Sequence, residues 1–155
     1  MITMQLQQLL SVEDIRIPLE AGDKEAAIVE LVDALAASGK LKNPDKVRQA
    51  VLDREATRST GIGDGLAIPH GKTDGVENLV VAFGRAKTPL EFGAIDGKPV
   101  SLIWLLSSPP DKSGAHIEAL KIISKLMAKA AVRKQMLEAS SAEEIYQILQ
   151  DASEE

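Results

Sequence analysis

Val100-Ser-Leu-Ile-Trp-Leu-Leu106 is an almost unbroken apolar run, and it limits the fold more than any other stretch of the chain. A strand with one wet face alternates polar and apolar residues, whereas a short continuous run reads as a strand covered on both faces. Leu79-Val-Val-Ala-Phe83 reads the same way. Strands of this kind need helices on either side of one sheet, and helical patterns flank both runs. The 100–106 strand is expected to be central, with Trp104 in the core rather than serving a ligand.

The helices announce themselves by spacing and by their ends. Asp23 is the expected N-cap of a first helix with Ala27, Ile28, Leu31, Val32 and Leu35 inward and Ser38-Gly39 at its close. Asn43 caps a second, with Pro44 in its first turn and Val47, Ala50 and Val51 inward. Arg54 extends that inward line, which is unusual for an arginine unless its head reaches water or faces a site. Arg58 falls off the line and reads as surface. His116 lies in the first turn of a long helix running to about Ala131, sharing a face with Leu120, Ile123 and Met127. Val132 to Glu138 reads as a short helix. Ser141-Ala-Glu-Glu144 is a capping box opening a last helix with Ile145, Ile148 and Leu149 inward. Asp151 to Glu155 should fray.

The remaining segments are shorter. Met1 to Val12 is weakly patterned, with Leu6, Leu9 and Leu10 able to form one packed turn. Asp14 to Leu19 alternates and reads as an edge strand, the place where Pro18 is tolerated. Gly71 to Asn78 reads as a polar turn region, Arg85 to Pro89 as a connection and Leu90-Glu-Phe92 as a brief edge. Asp96-Gly97 is a turn and Ser107 to Gly114 a loop. The expected architecture is α/β: a single domain, 1–155 with its core at about 6–150, built on a small mixed parallel and antiparallel sheet flanked by helices.

The chemistry concentrates between Asp53 and Gly71. Gly61, Gly63 and Gly65 alternate, the short apolar run Leu66-Ala67-Ile68 follows, and Pro69-His70-Gly71 closes the stretch. Alternating glycines allow close backbone approach and positive φ. Proline fixes φ ahead of His70 and glycine relaxes it afterwards. The outcome is an imidazole at a strand end in a glycine-lined pocket, with Arg54 and Arg58 shortly before it. Histidine acts readily as nucleophile or proton carrier near neutral pH, and arginines beside bare backbone N–H groups point to an anion, most simply a phosphoryl group.

Arg54-Glu55 followed by Ser59-Thr60-Gly61-Ile62-Gly63-Asp64-Gly65-Leu66-Ala67-Ile68-Pro69-His70-Gly71 closely resembles the active-site motif of the IIA proteins of the bacterial phosphoenolpyruvate-dependent phosphotransferase system. The branch it resembles is the fructose, mannitol and nitrogen-regulatory one, with the Ser-Thr-Gly-Ile-Gly form nearest the nitrogen-regulatory proteins. The resemblance spans about Leu6 to Leu149. It implies that His70 is phosphorylated by a small histidine phosphocarrier protein. It implies that Arg54 faces the phosphate and that His116 is the second active-site histidine. Ser59, Thr60, Gly61 and Gly63 are candidates for the phosphate pocket, and Ile62 and Leu66 for an apolar docking rim. The implied output is either regulatory target proteins or a sugar-specific IIB protein that takes the phosphate. No fused IIB or IIC region is expected.

Rival classes fare poorly. Gly71-Lys72-Thr73 matches the end of a P-loop, but Leu66 stands where that motif needs glycine. The glycines precede a strand instead of opening a helix, unlike a dinucleotide fingerprint. Zinc is not expected: Asp74 sits in a turn, and only Asp111 and Glu118 lie near His116 in sequence. A hydrolase would need Ser59 or Thr60 paired with an oriented base. A net charge of −5 argues against general nucleic-acid binding. With no cysteine the chain suits a reducing cytosol. No leader pattern appears and no apolar run nears ~18 residues, so a cytoplasmic protein without membrane insertion is expected. Neither a cofactor nor a metal is expected.

Overall fold

The computed structural model describes residues 9–153. Leu6, and the fraying expected of Glu154 and Glu155, lie outside them. Six strands form one sheet: β1 (Ile15–Leu19), β2 (Gly61–Gly63), β3 (Leu66–Ala67), β4 (His70–Lys72), β5 (Val80–Leu90) and β6 (Val100–Ser108). Among the described residues five complete α-helices accompany them: α1 (Lys24–Ala37), α2 (Pro44–Thr57), α3 (Ser113–Met127), α4 (Ala130–Glu138) and α5 (Ala142–Ser153).

The strand order is β1-β5-β6-β3-β2, with β4 also paired to β6. β5 runs antiparallel to β6, while β1 on β5 and both β3 and β4 on β6 are parallel, so the sheet is mixed. β6 is central, as its apolar run demands. Its residues alternate between two cores. Leu102, Trp104 and Leu106 pack with Phe83 under α3, α4 and α5, while Ile103 and Leu105 pack with Ala82 under α1 and α2. Trp104 is fully buried, tilted against Phe83 at 4.9 Å between ring centroids.

The helix ends follow their residues. Asp23 accepts from the Ala26 N–H at 2.8 Å and Asn43 from the Lys46 N–H at 3.2 Å. Ser141 accepts from the Glu144 N–H, whose own carboxylate reaches back to the Ser140 N–H. The fraying expected from Asp151 onward does not begin there: α5 holds to Ser153, because Ala152 is packed in the core.

Several expected boundaries move, each for a physical reason. β5 continues through Arg85 to Pro89 as far as Leu90, because pairing with β6 outweighs the polar sequence. Its register shifts between Arg85 and Leu90, and β1 ends opposite Ala86, so Pro89 lies where a missing N–H costs little. Gly71 and Lys72, expected to open a polar turn, belong with His70 to a strand on β6, and Ser107 and Ser108, expected in a loop, are the buried end of β6. The long helix stops at Met127, and a new one begins at Ala130. Among the described residues no helix is long and apolar enough to cross a membrane.

Candidate active site

β3 and β4 lie end to end along one side of β6, interrupted at Ile68-Pro69. His70 therefore starts a strand, opposite Leu106, and its side chain shares a face with Lys72 and with Ser108. Gly71 works through its missing side chain. A Cβ there would sit 2.9 Å from the Ala50 carbonyl carbon, so α2 rests directly on the β4 backbone. Arg54, one helical turn beyond Ala50, is thereby delivered to His70. Its positive charge is felt at the imidazole.

The glycine loop is a hairpin rather than an open cradle. β2 pairs antiparallel with β3 around Asp64-Gly65, with φ of 57° and 76°. Positive φ at both central positions is what a tight hairpin turn requires. Asp96 clips the turn, accepting from the Asp64 N–H at 3.1 Å. The loop's other end hangs on Glu55. This carboxylate, nearly fully buried, accepts from the Thr60 N–H at 3.1 Å and from the Thr60 hydroxyl, with Lys24 Nζ 3.5 Å away. The inward line of α2 is thus Val47, Val51 and Glu55, four residues apart, and Arg54 is half-buried at its margin.

His70 Nδ1 lies 2.8 Å from the Ile68 carbonyl oxygen. A carbonyl only accepts, so Nδ1 carries the proton and the lone pair is on Nε2. Burial lowers the His70 pKa below the ordinary histidine value, opposed by the Ile68 bond and Glu55 and assisted by Arg54 and Lys72. Near neutral pH the ring is therefore neutral and Nε2 is nucleophilic. The His116 ring meets it edge-on, with centroids 5.4 Å apart at 65°. His116 is 3% exposed, and burial, with His70 and Lys72 adding to it, pushes its pKa down to about 4. Ser108 Oγ is 2.6 Å from its Nδ1.

A depressed histidine pKa has a stability consequence. Between about 4 and the ordinary 6.5 the unfolded chain binds a proton at His116 that the folded chain refuses. The associated stability is complete above about pH 6.5 and is lost as pH falls towards 4. The melting temperature of His116→Gln should fall less steeply over that window than that of the unsubstituted protein. Parallel curves would show that His116 titrates normally.

His70 opens on a cavity of about 490 Å³. Of the residues singled out from sequence, Arg54, Ser59, Thr60 and Gly61 line it beside His70. Arg58, read as surface, is exposed and lines it too, with no partner for its guanidinium among the described residues. His116 packs edge-on against His70 but is not among the residues lining the cavity, and Gly63 turns towards Asp96. Backbone donors are fewer than expected. The Thr60 N–H is committed to Glu55 and the Gly61 N–H to Ser59 Oγ, whose hydroxyl donates to the Phe92 carbonyl at 2.6 Å. Leu66 is buried and forms no rim. The exposed apolar residues lining the cavity are Ile62 (48%) and Ile95 (79%), the latter brought in by its N–H bond to the Gly61 carbonyl. Sequence reasoning gives no site role to Lys72, Ile95 or Ser108, and none to Glu55 beyond its place beside Arg54 in the motif, although its i+4 spacing from Val51 also carries a signal. Among the described residues no three His, Asp or Glu side chains gather to hold a metal ion.

Known proteins are similar to this chain in sequence and in fold. Nitrogen regulatory protein of Escherichia coli (strain K12) is 37% identical over 150 residues, 96% of this chain and 91% of that protein. The fructose-specific EIIABC component of Bacillus subtilis (strain 168) is 38% identical over 146 residues, but the chain spans only 23% of its length. Among solved structures, nitrogen regulatory protein IIA-Ntr from Neisseria meningitidis superposes with a TM-score of 0.82 at 33% identity, covering 93% of this chain and 98% of that one. IIA mannitol from E. coli gives 0.78 at 25%, covering 90% and 97%. The sequence profile of one family, described as phosphoenolpyruvate-dependent sugar phosphotransferase system, EIIA 2, matches residues 8–152. The chain belongs to that family.

Proposed function

We propose that this protein is a cytoplasmic phosphoryl carrier in which His70 Nε2 takes a phosphoryl group from a histidine phosphocarrier protein and passes it on. The observation that carries the reading is the Ile68–Nδ1 bond, which leaves a neutral ring with one lone pair beside a cavity walled by two arginines. In the step, the Nε2 lone pair attacks phosphorus as the donor's N–P bond breaks. The donor ring, protonated on its other nitrogen, leaves with the bonding pair as neutral imidazole, so no proton need cross. The incoming group's roughly two negative charges meet Arg54, Arg58 and Lys72, each charge-assisted bond contributing on the order of 1.5–3 kcal/mol. Family membership makes the chain a phosphotransferase-system component.

The output we favour is regulation through target proteins, because relatives named nitrogen regulatory protein match this chain over nearly their whole length. A partner packed over Ile62, Ile95 and His70 would be repelled once the charge arrives. The second reading is a fructose- or mannitol-type IIA passing phosphate to a IIB protein, favoured by the 38% identity to the fructose-specific relative. Incubation with phosphoenolpyruvate and the general phosphotransfer proteins tests the carrier. One acid-labile phosphoryl group per chain, mapped to His70, is expected, and none would end the reading. Rapid onward transfer to a sugar-specific IIB would favour the second output.

Arg54→Lys is expected to slow phosphoryl uptake roughly 10- to 100-fold, since lysine keeps the charge but loses the planar fork that grips two oxygens. The melting temperature should barely move. Initial rates set beside thermal melts check both, and a normal rate would reduce Arg54 to packing.

A further inference from the structure

Ser108 ends β6 in a dry position. Its backbone is held from two sides, by pairing with Lys72 on β4 and by the Thr73 N–H donating to its carbonyl at 2.9 Å. Its side chain is fully buried, and among the described residues Oγ has one partner, His116 Nδ1 at 2.6 Å. Two proton arrangements fit that distance. If Nδ1 held the proton, the serine hydroxyl hydrogen would be buried without an acceptor, a loss comparable to a whole hydrogen bond. If the hydroxyl donates to Nδ1, both groups are satisfied and the ring proton moves to Nε2.

We propose that Ser108 is a positioning residue: its hydroxyl donates to His116 Nδ1 and holds that ring as the neutral Nε2–H tautomer against His70. The consequence rests on the carrier reading above. A neutral ring with Nε2–H offers a donor to a phosphoryl group on His70, whereas the other tautomer turns a lone pair towards the same oxygens. His116 thus serves the phosphoryl group without carrying a charge or competing for it.

The first measurement is independent of phosphotransfer. Nitrogen-15 spectra of the unphosphorylated protein at neutral pH should show His116 Nδ1 bare and Nε2 protonated. A proton on Nδ1 overturns the proposal. Ser108→Ala should then show a mixture of tautomers and a transfer rate from His70 reduced roughly five- to tenfold, with Ser108→Thr restoring both. An unchanged tautomer and rate in Ser108→Ala would also overturn it, and the spectrum of the unsubstituted protein decides the tautomer even if a variant fails to fold. Failure of the carrier reading looks different: His70 of the unsubstituted protein stays unphosphorylated whatever the His116 spectrum shows.

Discussion

His70→Ala should take up no phosphoryl group at all, with the protein still folded. No neighbour can stand in. His116 is nearly sealed from solvent and its Nδ1 is engaged with Ser108. The substitution removes one hydrogen bond, to the Ile68 carbonyl, at a cost of about 1 kcal/mol. Intact-mass analysis after incubation with the phosphoryl donors should show the unmodified mass only. Undiminished acid-labile phosphate on this variant would sink the assignment, and its appearance on His116 would exchange the two rings' roles.

Glu55→Ala should give the largest stability loss of any single change near the site. The carboxylate satisfies two donors of Thr60 and faces Lys24. Alanine leaves both donors buried and unpaired, at about 1–3 kcal/mol each before relaxation. A net loss of about 3 kcal/mol lowers the melting temperature of a chain this size by roughly 6–12 °C. Glu55→Gln should lose less, because its amide oxygen still accepts from Thr60. Phosphoryl uptake should fall along with stability, since Thr60 and Gly61 wall the cavity. Thermal melts of the two variants decide the matter, and an unaltered melt for Glu55→Ala would mean that the loop holds without this anchor.

What the sequence makes legible is what depends on side-chain pattern. β6 shows in its unbroken apolar run, α1 and α2 in their caps and stripes, and His70 in the proline and glycine around it. What it hides depends on backbone contacts between distant segments. β4 has no apolar signature, because its pairing with β6 is made by backbone groups and its Gly71 exists to admit a helix. β5 crosses Arg85, Lys87 and Thr88 for the same reason. Two serines read as a loop because small polar residues usually mark one, yet Ser107 is spoken for by the Gly71 carbonyl and Ser108 by His116. Arg54 and Glu55 differ by one position, about 100° around the helix, and a stripe of three residues does not resolve that angle.

The hydrogen bond from His70 Nδ1 to the Ile68 carbonyl also sets a rule of traffic. It closes one side of the imidazole, so on the carrier reading the same nitrogen must both receive the phosphoryl group and release it. Donor and acceptor proteins then queue for a single berth, and a complex holding both at once is ruled out by the ring itself. An excess of unphosphorylated target would throttle loading as effectively as a shortage of donor. The cell's ratio of the two partners, more than either affinity alone, would set how much of this protein is charged.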